Sequence, residues 1–202
     1  MNWERLSVWD GLSIVGLAVV LIVAAVSDLR RGKVFNWLTY PAIGVGLALG
    51  AARGATGGEA WDGLIDHVLG FGFGFGVLFI AYLFGGMGGG DVKLMAAVGA
   101  FLGWHRGGDY PALHAVFYSF LAAAAVGLIL MIWRGDTQRV LRKLWLAVRI
   151  LPLPGAKMRD AVPADTFRVP FGFAVCVGTL WFLAEDLIGG SLWDGAGRLL
   201  GV

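Results

Sequence analysis

Asp28 and Asp91 are the residues of this chain best placed to do chemistry, because each carries a carboxylate beside a long apolar stretch. An Asp near the middle of a membrane helix costs roughly +2.5 to +3.5 kcal/mol, so such a group reads by default as functional, with a partner to be found. Asp91 follows Gly85-Gly86-Met87-Gly88-Gly89-Gly90, and Asp28 ends the first apolar segment. Five glycines in six positions remove side-chain bulk and allow backbone angles closed to other residues, which gives an extended substrate access to Asp91. Two neighbouring carboxylates share a proton, so that one can deprotonate a water while the other protonates or polarises a carbonyl. The roles of base and acid belong to the pair rather than to either residue. The chemistry expected is hydrolysis of a peptide bond by water, with no cofactor. A structural carboxylate and a proton or ion relay are the other readings of such a group.

No other constellation competes. Ser27 lies beside the candidate site, but His67, His105 and His114 fall away from it, which makes a Ser-His pairing a poor reading. Each lone His reads more simply as a satisfied or interfacial residue. Cys176 is the sole cysteine and lies in an apolar run, so it reads as a small buried side chain, and no metal site is expected. Gly70, Gly72, Gly74 and Gly76 alternate with phenylalanines. Gly70 with Gly74, and Gly72 with Gly76, read as small-xxx-small helix-packing pairs. A phosphate loop would need Gly-Lys-Ser or Gly-Lys-Thr, and a dinucleotide site would need a strand before the glycines.

The surrounding chain must hold the carboxylates in a membrane. Of 202 residues, 58% are apolar and 15% charged, with a mean hydropathy of +0.75, a composition that excludes an ordinary soluble domain. The fold expected is that of an all-α integral membrane protein, a single domain over residues 1–202 with six transmembrane helices. Their spans fall at about 9–27, 37–52, 63–85, 91–104, 110–133 and 169–188. The second and fourth are short, which suits little tilt or a start inside a protein-lined cavity. The first reads as a retained helix rather than a signal peptide, since the amino end carries Glu4 and Asp10 and no basic n-region, and Arg30 and Arg31 follow the apolar run.

Residues 137–151 space Val140, Leu141, Leu144, Trp145, Val148 and Leu151 at helical intervals among Arg139, Arg142, Lys143 and Arg149. This is the pattern of an interfacial amphipathic helix against anionic lipid, a better fit than nucleic-acid binding in so apolar a chain. Arg30, Arg31, Lys33, Lys93 and the basic residues from Arg134 to Arg168 all fall in the first, third and fifth connections. The positive-inside rule therefore puts both termini outside the cytoplasm, and puts Asp28 and Asp91 on the cytoplasmic face of a bacterial or archaeal cytoplasmic membrane.

Gly88-Gly89-Gly90-Asp91 has the form GxGD, and with Val92-Lys93-Leu94 it resembles the signature of type IV prepilin peptidases, membrane aspartic proteases of the GxGD class. Ser27-Asp28-Leu29-Arg30-Arg31-Gly32-Lys33-Val34-Phe35-Asn36 resembles that family's first motif, an Asp followed by basic residues and Ile-Pro-Asn, and Val169-Pro170-Phe171-Gly172 resembles its Pro-Tyr-Gly element. The three motifs occur in order and span nearly the whole chain. The resemblance implies that Asp28 and Asp91 are the catalytic aspartates, with Gly88, Gly90, Lys93, Pro170 and Gly172 as supporting motif residues. It also implies a prepilin or pseudopilin substrate, from pilus assembly or secretion, whose basic leader is cut on the cytoplasmic side just before its hydrophobic helix. Phe35 stands where the family usually has Pro, and Phe171 where it has Tyr. Long members carry paired CxxC motifs and methylate the new amino terminus. This chain, with one cysteine, is similar to the short Tad/Flp-type form, for which no methyltransferase activity is expected.

Lys93 has two readings: a cation acting on the dyad or on an acidic group of the substrate, and a snorkelling interfacial lysine. Two rival functions stand beside the peptidase. Intramembrane proteases of the presenilin type pair GxGD with Tyr-Asp, a dipeptide this chain lacks. A proton-coupled transporter would use Asp28 and Asp91 as a relay and show repeats in matched halves, which the sequence does not display.

Overall fold

The computed structural model describes residues 7–83, 87–105, 109–134 and 170–188. Among the described residues the chain is all-helical, with no strand. Its elements are α1 (Val8–Arg31), α2 (Asn36–Thr56), α3 (Ala60–Leu83), α4 (Gly89–Leu102), α5 (Pro111–Arg134) and α6 (Phe171–Ile188). Each expected apolar segment is matched by one helix. The amphipathic segment expected at 137–151 lies outside the described residues.

Local chemistry sets the boundaries. Ser7 caps α1 in a capping box with Asp10: the Ser7 hydroxyl accepts from the Asp10 N–H, and the Asp10 carboxylate accepts from the Ser7 N–H. At the other end Arg30 and Arg31 occupy the last turn, and Gly32 takes the left-handed conformation, φ 61°, that closes a helix and that side chains resist. α1 therefore runs past the expected limit at residue 27 and contains Asp28 in its last turn. Only three residues separate Gly32 from α2, so the chain turns back at once beside Asp28.

α4 is the centre of the bundle. Every residue from Leu94 to Leu102 is buried, chiefly against α2 and α3. Fourteen residues give about 21 Å of helix. A helix enclosed by protein need not match the bilayer, which is why so short a segment suffices. Close approach is made possible by small residues. A Cβ at Gly46 of α2 would lie 2.8 Å from the Ala100 backbone, one at Gly74 of α3 would lie 2.5 Å from the Met95 carbonyl, and Gly70 and Gly99 would each strike the other's backbone. Gly72 and Gly76 differ from their expected role: a Cβ at either would meet nothing beyond its own stretch of helix within 4 Å, so the side-chain positions of this second pair face no other part of the described chain. Their position half a turn around α3 from Gly70 and Gly74 turns them away from α4.

By length and composition α1, α3 and α5 are apolar enough to cross a membrane, and only 28%, 22% and 22% of their most apolar stretches are buried within the bundle. Val19, Ile22, Leu69, Ile80, Leu128 and Ile132 are exposed on them. Apolar surface on this scale is unfavourable in water and suits lipid contact.

Candidate active site

Asp28 and Gly172 are far apart in sequence and meet where α1 finishes and α6 begins, and Val34, which lies against Gly172, also lies against Gly90, next to Asp91 at the start of α4. Asp28 is 9% exposed. Its position in the last turn of α1 is one that its own helix dipole disfavours. The start of α6 offsets this, since the Phe173 N–H donates to Asp28 Oδ2 at 3.3 Å, placing the carboxylate at a helix N-terminus. Gly172 is what permits the approach. A Cβ there would lie 3.0 Å from Asp28 Oδ2, 3.1 Å from Asp28 Cβ and 3.1 Å from a Val34 methyl. Pro170 stands just before α6, where its missing N–H costs nothing, and its carbonyl accepts from the Ala174 N–H at 3.2 Å.

Asp91 lies in the first turn of α4, a position favourable to an anion, and is partly exposed. Gly88 is the N-cap, with φ −83° and ψ 145°, and Gly89 and Gly90 are already helical. The glycines from 88 to 90 therefore do not supply unusual backbone angles, contrary to expectation; among the described residues positive φ occurs only at Gly32, Gly58 and Gly103. What they supply is space. A Cβ at Gly88 would lie 3.2 Å from Asp91 Oδ2, and one at Gly90 would lie 3.1 Å from the Val34 carbonyl oxygen. Tyr82 of α3 stands 3.8 Å from the corresponding point at Gly89. Gly85 and Gly86 lie outside the described residues.

Val34 joins the motifs, packing on Gly90 on one side and on Gly172 on the other. The signal for it in the sequence was its place at the Ile of the Ile-Pro-Asn that the first motif resembles, which marks a position but not the contacts it makes. Phe35, the N-cap of α2, has φ −85°, close to the value a proline ring imposes, and Arg31 lies over its ring at 5.4 Å. Phe171 is buried and meets Phe120 edge-on at 5.9 Å.

Lys93 is directed at α2. Its Nζ donates to Asn36 Oδ1 at 2.9 Å and lies 5.0 Å from the centre of the Tyr40 ring. The other expected candidates fall into structural roles. The Ser27 hydroxyl donates to the Ala24 carbonyl of its own helix at 2.8 Å. His67 contacts the Ala100 carbonyl through Nδ1 at 2.7 Å, His105 packs on Tyr110, and His114 stacks on Phe182, all toward the opposite end of the bundle. Cys176 is buried in the apolar core.

Comparison with known proteins bears on the family. The chain is 34% identical over 119 residues to the prepilin peptidase EppA of Methanothermobacter thermautotrophicus, covering 59% of this chain and 29% of that protein. It is 33% identical over 127 residues to a prepilin leader peptidase/N-methyltransferase of Burkholderia pseudomallei, covering 61% of this chain and 38% of the other. The chain thus spans about a third of the length of these curated relatives. No solved structure matches it. Residues 15–132, which include both aspartates and the glycines before Asp91, match the model of the type IV leader peptidase family, and the chain belongs to that family.

Proposed function

We propose that the chain is a membrane aspartic endopeptidase that cuts the leader from prepilins or pseudopilins, with Asp28 and Asp91 as the catalytic pair. The observation that carries this reading is the convergence of three distant motifs: Asp28 held at the start of α6 through Gly172, and Asp91 at the start of α4, with Val34 packed against the glycines of both. Gly88 keeps a side chain away from the Asp91 carboxylate, and Gly90 lets Val34 pack beside it. A peptide entering in extended form meets a carboxylate there, while a purely structural acid has no use for such clearance.

In the reaction one carboxylate takes a proton from water as its oxygen adds to the scissile carbonyl carbon, and the protonated partner gives its proton to the carbonyl oxygen. The tetrahedral intermediate collapses as the carbon–nitrogen bond breaks. Its hydroxyl proton returns to one carboxylate, the other protonates the departing amine, and the pair regains its single shared proton. No cofactor enters, and no methyl transfer follows.

In this reading the six helices act as one membrane domain with the site near the cytoplasmic interface and both termini outside, an orientation supported by the basic residues of the first, third and fifth connections. The substrate is presented with its leader in the cytoplasm and its apolar helix in the bilayer. Co-expression with a prepilin tests the reading. Asp28→Asn and Asp91→Asn should each abolish leader removal while remaining in the membrane at wild-type amounts, and normal processing by either variant overturns it. In liposomes, proton flux without cleavage would support the relay instead.

A further inference from the structure

Asp91 stands in the first turn of a helix that follows a glycine-rich stretch, and neither feature fixes a side chain well. The first four N–H groups of a helix lack intrahelical partners, and glycine restricts the preceding backbone least. Gly88 provides no side-chain cap. Contacts between the start of α4 and its neighbouring helices therefore bear directly on where Asp91 stands.

We infer that Lys93 is a positioning residue that locks the first turn of α4 to the first turn of α2 through Asn36 and Tyr40, and thereby sets Asp91 against Asp28. This rests on the peptidase reading above. Lys93 lies two residues after Asp91, and Asn36 begins α2 immediately after the short loop that leaves Asp28. The 2.9 Å hydrogen bond from Nζ to Asn36 Oδ1 and the Tyr40 ring 5.0 Å away form two contacts from one cation to one helical turn. Val34, in the same loop, packs on Gly90. The loop between the two helices is thus tied to α4 on both sides of Asp91, by an apolar contact at residue 90 and a polar one at residue 93. A lysine whose ammonium merely sought water would not need a fixed acceptor and a ring on the same neighbouring helix.

The test is cleavage kinetics on a purified leader-bearing peptide in detergent, with hydrogen exchange of the first-turn amides of α4 measured in parallel. Lys93→Met should lower kcat by about tenfold or more with KM changed less than about twofold, since small misplacements of a reacting group act on the chemical step. Asn36→Leu should reproduce that loss, and Lys93→Met/Asn36→Leu should be no worse than either single change. Asn36→Asp, which keeps an acceptor for the ammonium, should retain wild-type kcat. First-turn exchange should quicken in Lys93→Met and Asn36→Leu alone. A loss in Lys93→Met with none in Asn36→Leu, or a change in KM rather than kcat, overturns the inference and makes Lys93 a substrate contact. Unchanged kinetics in Lys93→Met overturn it as well. The peptidase reading is judged separately by Asp28→Asn in the same assay. Should that variant still cleave, the exchange data decide whether the lock exists, and unchanged exchange in Lys93→Met removes it.

Discussion

At the end of the bundle where α1 finishes, Asp28 and Asp91 come from two helices and lie against glycines, Asp28 against Gly172 and Asp91 against Gly88. At the opposite end Asp10, Asp66 and Glu185 are also carboxylates at or near helix ends, and each ties its own helix to a neighbouring element. Asp10 completes the cap of α1 and pairs with Arg53 of α2 at 3.4 Å. Asp66 accepts from the His105 N–H at 2.7 Å, while its carbonyl accepts from Trp104, pinning the exit of α4 to α3. Glu185 accepts from the Tyr118 hydroxyl of α5 and from Trp181 of its own helix. An acid at a helix end is therefore not a functional signal by itself. The difference lies in its surroundings: at one end the acids bind side chains and backbone groups of their neighbours, and at the other each carboxylate sits against a glycine, Gly172 beside Asp28 and Gly88 beside Asp91, where a side chain would crowd it.

That contrast can be broken most sharply at the aspartates themselves. Asp28→Asn and Asp91→Asn should reduce leader cleavage by about a thousandfold or more, measured on purified protein, because removal of an acid–base group forfeits on the order of 100- to 10,000-fold. Asp10→Asn should leave kcat within about twofold of wild type, since Asp10 is a structural acid; a large loss there would erase the distinction between the ends.

Gly172→Ala tests whether clearance beside Asp28 matters. The new methyl would lie 3.0 Å from Asp28 Oδ2 and push the carboxylate from the Phe173 N–H. A loss of about ten- to a hundredfold in kcat is expected without unfolding. Wild-type kinetics would show that the position of Asp28 is not set by α6.

A smaller effect, on stability alone, separates glycines that look equivalent in sequence. Gly70→Ala forces α3 from α4 and should cost about 1 to 3 kcal/mol in detergent unfolding. Gly72→Ala meets nothing within 4 Å and should stabilise by about 0.5 to 1 kcal/mol through helix propensity. Equal destabilisation by both would contradict the packing face assigned to α3. Least of all, Ser7→Ala should lower stability by about 1 kcal/mol through loss of the α1 cap, with cleavage unchanged.

Much of the fold was legible because apolar length is a strong signal: six apolar runs became six helices, with boundaries shifted by a few residues at each end. The shifts have causes. Apolarity stops near residue 27, but nothing breaks the helix until Gly32, so α1 carries Asp28 inside its last turn. Likewise α4 begins at Gly89 rather than at Asp91, because glycine in a first turn is tolerated when the rest of the helix is buried.

The residues themselves determined a helical membrane chain with two conspicuous carboxylates, since hydropathy and charge placement depend on residue type alone. The motifs around those carboxylates pointed to the family before any contact was known. Only the tertiary structure decided that Gly172 admits Asp28 to the start of α6, that Val34 packs between the motifs, that Lys93 engages α2, and that Gly70 packs while Gly72 faces outward. Each of these depends on which helix faces which across long sequence separation. Helical periodicity gives a residue its face, and the arrangement of the neighbouring helices decides what that face meets.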